Sequence, residues 1–417
     1  MTVSSKGRLL IALCGGIATY KLCEVISQMF QSGYQVRVVL TQCALEFITP
    51  LTVATLSRHQ AYTDDLFWSS DNSSPLHIEL GQWAEIILIA PLTANTLAKL
   101  AHGFADNLLT NIVLASNCPI LTAPAMNTQM WQQQSVQKNW QLLQEDPRYH
   151  SIGPDSGRLA CDAVGAGRMA EPQAIICALE SLFYSAGKRD LLGKRILVTA
   201  GGTREYLDPV RYLGNPSSGK MGIALAMAAH YRGAKVTLVH SNLEKERLDC
   251  LPEITCYSVT SSQNMLEKVL EQFGSNDWLC MAAAASDVKP VQYHSHKLAK
   301  AELPKSLELE MVVDILQALS NCKTSNQIII GFAAQSGDIL TPARNKLEQK
   351  KLDVILANPI DQQGVGFASE NNQGIILDRL AREKHIDPCS KLELANILLD
   401  FVLEYVAAYP NRDCALS

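Results

Sequence analysis

Residues 8–41, RLLIALCGGIATYKLCEVISQMFQSGYQVRVVLT, contain the pattern that indicates the fold of the first half of the chain. It opens with a continuous apolar run that ends at Gly15 and Gly16. A helical pattern then continues to about Gln31, and a second apolar run occupies residues 36–41. A strand, a glycine turn, a helix and a further strand in this order indicate a β-α-β unit with parallel strands.

The same pattern begins again in the second half of the chain. Residues 195–202 read RILVTAGG, a helical pattern runs from about 218 to 231, and VTLV follows at residues 236–239. Apolar strands that alternate with helices are typical of a parallel sheet covered on both faces. We therefore predict an α/β protein with two doubly wound, Rossmann-like parallel-sheet domains.

The length of the chain agrees with this division. At roughly 150 residues per domain, 417 residues are enough for two or three domains. The polar stretch SAGKRDLLGK at residues 185–194 carries two glycines and four charges, as expected of a linker. We predict one domain over residues 1–190 and a second over residues 191–417.

Composition excludes two classes of partner. The chain has 36 Lys and Arg against 41 Asp and Glu, so it lacks the basic field that holds nucleic acid. No apolar run approaches the roughly 18 residues of a membrane helix. Twelve cysteines without a C-x-x-C pair, and a start unlike a secretory signal, predict reduced thiols and a cytoplasmic location.

Ligands of open parallel sheets bind beyond the carboxyl ends of the strands, so two sites are expected, one in each half. Neither half contains the full G-x-G-x-x-G spacing. The second strands end at Thr41 and Ser241 instead of the acidic residue that binds an NAD ribose. A mononucleotide is therefore favoured over a dinucleotide, although two adjacent glycines are also common in simple tight turns.

Residues 214–220, GNPSSGK, match most of a P-loop. Met221 occupies the position of the hydroxyl that would bind magnesium, and Pro209 and Pro216 interrupt any strand that would lead into the loop. The segment is better interpreted as a helix start that can bind phosphate. A P-loop ATPase is the weaker alternative.

Three residues of the first half are candidates for catalysis, although each alone is a weak signal. His77 lies in PLHIEL, Asn127 follows an apolar strand in PAMN, and Cys161 lies in the glycine-rich stretch RLACDAVGAGRM. Nearby positive charge sets the ionisation of a thiol. A cysteine between two arginines on a mobile lid is therefore expected to act as a general acid.

Several motifs occur in a fixed order along the chain. The first half contains GGIATYK, HIEL, APLTANTLAK, PAMN and GRMAEP; the second contains AGGTREYLDPVRYLGNPSSGKMG, AAAASDVKP, GFAAQ and KLEQKKLDVILAN. Over nearly its whole length the chain resembles the bifunctional flavoproteins of coenzyme A biosynthesis, in which phosphopantothenoylcysteine decarboxylase is fused to phosphopantothenate–cysteine ligase.

For the first half, the resemblance implies FMN binding and conversion of 4'-phosphopantothenoylcysteine to 4'-phosphopantetheine. Direct loss of CO2 from an N-acylcysteine lacks an electron sink, which the flavin supplies temporarily. By this resemblance Asn127 holds the substrate carboxylate, His77 orients or deprotonates the substrate, and Cys161 supplies a proton. The implied FMN contacts are Gly15, Gly16, Thr41, Thr93 and Asn95.

For the second half, the resemblance implies ligation of L-cysteine to 4'-phosphopantothenate through an acyl-cytidylate made from CTP. Mg²⁺ would enter with the CTP phosphates, and Lys297 would stabilise the step on the triphosphate. Arg211 and Asn215 would contact phosphopantothenate or its acyl intermediate. The implied CTP contacts are Asp287, Lys297, Asp314, Phe332, Lys346 and Lys350. Gln335 stands where the family carries an acidic residue, which leaves the choice between CTP and ATP open.

The resemblance also implies a homo-oligomer, with a trimer-based decarboxylase core and paired ligase domains. The alternative from another class is a flavin-binding regulatory subunit whose ligase half is inactive. The presence of Asn127, Cys161 and Lys297 together disfavours that alternative.

Overall fold

The computed structural model describes residues 5–70, 74–158, 164–249, 251–361, 369 and 371–409. The chain divides into two compact units, Met1–Lys188 and Arg189–Ser417. None of the described helices combines the length and the apolar character needed to cross a bilayer.

The first unit is built on a six-stranded parallel sheet. Its strands are β1 (Arg8–Leu13), β2 (Gln35–Leu40), β3 (Ala61–Tyr62), β4 (Ile86–Leu92), β5 (Ile120–Pro124) and β6 (Tyr149–Ser151). They lie in the order β3-β2-β1-β4-β5-β6, so the direction of winding reverses between β1 and β4. In doubly wound sheets this reversal opens a crevice at the carboxyl ends of the two central strands.

Helices cover the sheet of the first unit. They are α1 (Leu22–Gln31), α2 (Pro50–Ser57), α3 (Asp64–Phe67), α4 (Leu76–Trp83), α5 (Ala94–Ala101), α6 (Leu108–Ala115), α7 (Thr128–Gln132), α8 (Gln134–Gln144) and α9 (Pro172–Ser185). Two 3-10 helices, Ile17–Lys21 and Gln42–Glu46, follow β1 and β2. Helix α1 buries Leu22, Val25, Ile26 and Met29, whose spacing places them on one helical face.

A short antiparallel hairpin, β7 (Asp155–Arg158) and β8 (Val164–Arg168), stands apart from the sheet. Its arms bracket residues 159–163, which contain Cys161 and lie outside the described residues. The sequence predicted a mobile lid here, and the arms on either side are regular strands.

The second unit is built on an eight-stranded sheet in the order β13-β12-β9-β14-β17-β18-β19-β20. Its strands, with two separate hairpins, are β9 (Arg195–Gly201), β10 (Arg204–Tyr206), β11 (Tyr212–Gly214), β12 (Lys235–Ser241), β13 (Thr255–Val259), β14 (Trp278–Met281), β15 (Val288–Pro290), β16 (Leu309–Met311), β17 (Ile328–Gln335), β18 (Val354–Pro359), β19 (Asn371–Asp378) and β20 (Glu383–Ser390). The helices are α10 (Lys220–Tyr231), α11 (Lys245–Leu248), α12 (Ser262–Phe273), α13 (Ile315–Cys322), α14 (Leu340–Gln349) and α15 (Lys391–Ala408).

The predicted α/β class with two parallel-sheet units is confirmed, with one addition. The first six strands of the second sheet pair in parallel, whereas β18 pairs with β19, and β19 with β20, in antiparallel fashion. The sequence analysis predicted neither β19, although its GIIL run is apolar and buried, nor β20, whose residues EKHIDPCS are mostly exposed and lack an apolar alternation. An antiparallel edge on a parallel sheet is common in α/β proteins.

Candidate functional site

The glycine turn after β1 brings the backbone of two segments close together. A Cβ on Gly15 would collide with Cys43, which follows β2. The hydroxyl of Thr19 donates to the carbonyls of Cys14 (3.0 Å) and Gly16 (2.6 Å) and thereby holds the turn in place. The turn therefore forms a narrow cradle of backbone at the point where the sheet reverses its winding.

The remaining predicted FMN residues of the first unit lie around this cradle. Thr41 donates its hydroxyl to the carbonyl of Leu13 (3.2 Å), beside the turn. Thr93 caps α5 by accepting from the amide of Thr96 (3.3 Å), and its methyl group is 3.9 Å from the position a Cβ on Gly16 would take. Asn95 is exposed in the first turn of α5. The structure therefore brings the five predicted FMN residues to the ends of β1, β2 and β4.

Asn127 follows β5 and caps the short helix α7, where its Oδ1 accepts from the amide of Gln129 (2.8 Å). The hairpin arm β8 packs directly on this turn. The amide of Met126 donates to the carbonyl of Gly167 (2.9 Å), and a Cβ on Gly165 would lie 2.7 Å from the hydroxyl oxygen of Thr128. The arm next to Cys161 is thus held against the loop that carries Asn127.

His77 lies in the first turn of α4, with its ring edge-on to Phe67 at a centroid distance of 5.5 Å. Its Nδ1 atom is buried and has no hydrogen-bond partner among the described residues. A buried polar nitrogen without a partner is costly to the fold, which makes this atom a candidate contact for a substrate.

Sequence reasoning missed an ionic cluster at the base of the hairpin. Glu171 binds the ammonium group of Lys21 (3.1 Å) and also pairs with Arg168 at the end of β8. Burial and the neighbouring guanidinium of Arg168 lower the pKa of Lys21. The motif GRMAEP was the available signal, since it contains both Arg168 and Glu171.

The second unit repeats the glycine turn with a long insertion between strand and helix. Gly201 has a φ of 85° and Gly219 a φ of 71°, in the region that favours glycine. A Cβ on Gly202 would collide with the carbonyl of Asn215. Because the hairpin β10–β11 separates β9 from α10, the segment differs from the direct strand–loop–helix arrangement of a P-loop.

A cavity of about 460 Å³ opens at the carboxyl ends of β14, β17 and β18 and at the start of α10. The predicted site residues that line it are Asn215, Asp287, Asp314, Phe332 and Lys346. The amide nitrogen of Asn215 donates to the carbonyl of Ala285 (3.1 Å), which fixes it beside the segment that follows β14.

Lys346 on α14 and Lys350, which directly follows that helix, hold their predicted neighbours in place. Lys346 donates from Nζ to the carbonyl of Phe332 (2.9 Å), and Lys350 lies 2.7 Å from a carboxylate oxygen of Asp314. Burial lowers the pKa of Lys346, while the carboxylates of Asp314 and Asp287 oppose this effect. Burial would raise the pKa of Asp314, but bonds from Lys350 and the amide of Gln317 outweigh it and lower that pKa.

Arg211 and Lys297 do not line this cavity, but hydrogen bonds connect the two segments that contain them. The buried carboxylate of Asp208 accepts from the guanidinium of Arg211 (2.7 Å) and from the amide of Leu298 (3.3 Å). Arg211 also donates to the carbonyl of Leu298 (3.3 Å). Lys297 itself is exposed. Among the described residues no group of three or more His, Cys, Asp and Glu side chains is arranged to bind a metal.

The first unit, with a glycine cradle at the switch point of a doubly wound sheet, has the architecture of a flavoprotein. The family model described as "Flavoprotein" matches residues 2–183. The model of the DNA/pantothenate metabolism flavoprotein C-terminal domain matches residues 191–406.

Curated relatives extend over nearly the whole chain. The coenzyme A biosynthesis bifunctional protein CoaBC of Bacillus subtilis is 40% identical over 386 residues, covering 93% of this chain and 94% of the relative. The protein of the same name from Haemophilus influenzae is 38% identical, covering 95% and 97%. The chain belongs to this CoaBC family, as the motifs indicated. It is a bifunctional enzyme of coenzyme A biosynthesis.

Solved structures resemble the two halves separately. A crystal structure of the C-terminal domain of CoaBC is 33% identical, with a TM-score of 0.44, and covers 52% of this chain and 98% of its own. The FMN-binding protein AtHal3 is 39% identical, with a TM-score of 0.39, and covers 43% and 98%.

Proposed function

We propose that the chain converts 4'-phosphopantothenate to 4'-phosphopantetheine in two steps. The second domain, residues 191–417, ligates L-cysteine to the acid with CTP through an acyl-cytidylate. The first domain, residues 1–190, then decarboxylates the product with FMN. The observation that supports this proposal is that some of the predicted residues of each unit lie at the carboxyl ends of its parallel strands. In the first unit these are Gly15, Gly16, Thr41, Thr93 and Asn95, and in the second unit Asn215, Asp287, Asp314, Phe332 and Lys346 line one cavity.

The cradle of the first unit fits FMN. Gly15 admits no side chain, and the exposed apolar residues Ile17 and Tyr20 lie on the 3-10 helix that follows. We assign the FMN contacts to Gly15, Gly16, Thr41, Thr93 and Asn95. When bound, FMN supplies a reversible acceptor for two electrons, which an N-acylcysteine needs before it can lose CO2.

The residues of the first unit bind and orient the substrate around this group. Oδ1 of Asn127 accepts a hydrogen bond from the amide of Gln129. The side chain would therefore bind the substrate carboxylate through the N–H groups of Nδ2. The unpartnered Nδ1 of His77 can accept or donate the proton of a substrate group. Cys161 is assigned as the proton donor to the product, a role that lies outside the described residues.

In the second unit, cations must offset the repulsion between the substrate carboxylate and the triphosphate. We assign Lys297 to this task and Asn215 with Arg211 to the phosphopantothenate or its acyl intermediate. The CTP contacts are assigned to Asp287, Lys297, Asp314, Phe332, Lys346 and Lys350. Mg²⁺ is proposed to enter on the CTP phosphates, as is usual for an ion that binds few protein ligands.

We also propose a homo-oligomer with a trimer-based decarboxylase core and paired ligase domains, located in the cytoplasm. Large apolar side chains exposed in each unit support association. Leu51 and Trp68 are 77% and 76% exposed in the first unit, and Tyr293 is 59% exposed in the second. The molar mass from light scattering tests this assignment.

The two activities can be tested separately. With CTP, Mg²⁺, L-cysteine and 4'-phosphopantothenate, the chain should release pyrophosphate and form the cysteine adduct. With the adduct supplied directly, the FMN-loaded chain should release CO2 without a nucleotide. A yellow chain that performs neither step would favour the alternative of a flavin-binding regulatory subunit with an inactive ligase half. ATP in place of CTP resolves the nucleotide preference.

A further inference from the structure

A buried carboxylate holds the segment that contains Lys297. Asp208 lies in the loop between β10 and β11, and none of its surface is exposed. Its carboxylate accepts hydrogen bonds from the amides of Val210 (2.9 Å) and Arg211 (2.8 Å) and from the guanidinium of Arg211 (2.7 Å). It also accepts from the amide of Leu298 (3.3 Å), which lies 90 residues further along the chain. The first three bonds shape the loop, and the fourth joins the loop to a distant segment.

The distant segment is attached to this loop on both sides of Lys297. On the C-terminal side, the carbonyl of the buried residue Leu298 accepts from both terminal nitrogens of Arg211 (3.3 Å each). On the N-terminal side, the amide of His294 donates to the carbonyl of Leu207 (2.9 Å). Lys297 itself is exposed, and among the described residues its ammonium group has no hydrogen-bond or ion-pair partner. The position of this group is therefore set by the backbone that carries it.

The carboxylate of Asp208 acts within the protein and not on a ligand. Burial alone would raise its pKa, but the bonds from backbone amides and the charge of Arg211 outweigh this effect and lower the pKa. Hydrogen bonds to an ionised group are stronger than those between neutral groups. Because Asp208 is fully buried, a substrate cannot reach it. Asp208 thus connects the two cations assigned above to the ligation, Arg211 directly and Lys297 through the adjacent residue Leu298.

We propose that Asp208 is a positioning residue of the ligation, which holds the backbone beside Lys297 so that the ammonium group meets the charge that develops on the triphosphate. The inference rests on the role proposed above for Lys297. Asp208 transfers no proton, and no bond to it is made or broken. A cation that is already in place need not be ordered during the reaction, and this preorganisation acts on the transition state. Loss of Asp208 should therefore lower kcat and leave the KM values nearly unchanged.

Asp208→Asn in the FMN-loaded full-length chain tests this proposal. The substitution keeps the size of the side chain, removes its charge and replaces one acceptor oxygen with an NH2 donor. We expect kcat for amide formation to fall at least tenfold, with the KM values for CTP and 4'-phosphopantothenate within threefold of those of the unaltered chain. Decarboxylation of the supplied cysteine adduct should not change. A kcat for ligation within twofold of that of the unaltered chain overturns the proposal.

The matched control is Asp378→Asn. Asp378 is also buried, and its carboxylate accepts from the guanidinium (2.7 Å) and the amide (3.0 Å) of Arg382. It pairs with Val354 at the start of β18, whereas Asn358, near the end of that strand, lines the cavity. The control should lower the thermal unfolding midpoint as Asp208→Asn does, yet keep the kcat for ligation. Equal loss of kcat in the two variants would show that Asp208 serves only the stability of the unit, and the proposal would be wrong.

Proteolysis measures the position of the segment without any activity. Trypsin cleaves after lysine, and the peptide bond between Lys297 and Leu298 contains the N–H group that donates to Asp208. Cleavage at this bond therefore requires the segment to leave the loop. Mass spectrometry should show cleavage at least tenfold faster in Asp208→Asn than in the unaltered chain or in Asp378→Asn. An unchanged rate in Asp208→Asn overturns the proposal.

These measurements separate this inference from the proposed function. If the unaltered chain does not ligate cysteine, the proposed function is wrong, whereas the cleavage rates still report whether Asp208 holds the segment of Lys297. If Asp208→Asn does not fold, Leu298→Pro decides, because it removes the N–H group that donates to Asp208 and keeps the bonds within the loop. A tenfold lower kcat with unchanged KM values in this variant supports the proposal, and an unchanged kcat overturns it.

Discussion

The amide of Met126 donates to the carbonyl of Gly167 at 2.9 Å, and this bond joins the loop of Asn127 to the hairpin arm that leads to Cys161. Gly167 has a φ of 134°, and a Cβ there would collide with the carbonyl of Met126. The approach of hairpin and loop therefore depends on a residue without a side chain.

We expect Gly167→Ala to lower decarboxylation at least tenfold, because the hairpin must move away from the loop of Asn127. Ligation should be unchanged, since its site lies in the other unit. The control is Gly103→Ala, which also has a positive φ, of 69°, but meets no atom within 4 Å. It should cost about 1 kcal/mol of stability and leave decarboxylation intact. Equal loss of activity in both variants would contradict this account.

Cys161→Ser should bind FMN as the unaltered chain does and release CO2, yet yield no 4'-phosphopantetheine. The physical reason is that a serine hydroxyl is a far weaker acid than a thiol, so proton delivery to the product fails. Flavin absorbance, CO2 release and product mass can be measured on one sample. A normal yield of 4'-phosphopantetheine would refute the assignment of Cys161.

Lys297→Gln should abolish amide formation and spare decarboxylation of the supplied cysteine adduct. Lys297 is exposed, so its loss should not unfold the second unit. Lys305→Gln, also exposed, is the matched control and should retain both activities. Simultaneous loss of both activities in Lys297→Gln would indicate misfolding or obligatory coupling instead of a local role.

The lowered pKa of Lys346 predicts how CTP binding depends on pH. Burial favours its neutral form, so the positive charge is lost at a pH below the one at which an ordinary lysine titrates. The KM for CTP should therefore rise with pH through that lowered pKa. Lys346→Arg should remove this rise, because a guanidinium stays charged. A pH profile identical in both proteins would show that Lys346 does not titrate in this range.

Local patterns were sufficient to predict the central parallel strands of both sheets. The apolar run of β1 before Gly15, and that of β9 before Gly201, are signals carried within single segments. The hairpin β7–β8 was beyond such reasoning, because DSGR and VGAGR contain few residues that favour strands.

The site residues also divide into those that a single segment of sequence indicates and those that depend on distant contacts. Asn127 could be found because it directly follows a strand. The place of Lys391 in the cavity wall could not be predicted, because the antiparallel strands β19 and β20 bring the start of α15 back to the cavity. Similarly, the hydrogen bond from Arg211 to the carbonyl of Leu298 joins residues that lie 87 positions apart in the chain.

We propose that one chain performs both steps at two separate sites. The most direct test is mass spectrometry of the products formed by the FMN-loaded chain from 4'-phosphopantothenate, L-cysteine, CTP and Mg²⁺. We expect 4'-phosphopantetheine, with CMP and pyrophosphate in equal amounts, and none of these products when CTP is omitted. A colourless chain that yields neither pyrophosphate nor 4'-phosphopantetheine would contradict it.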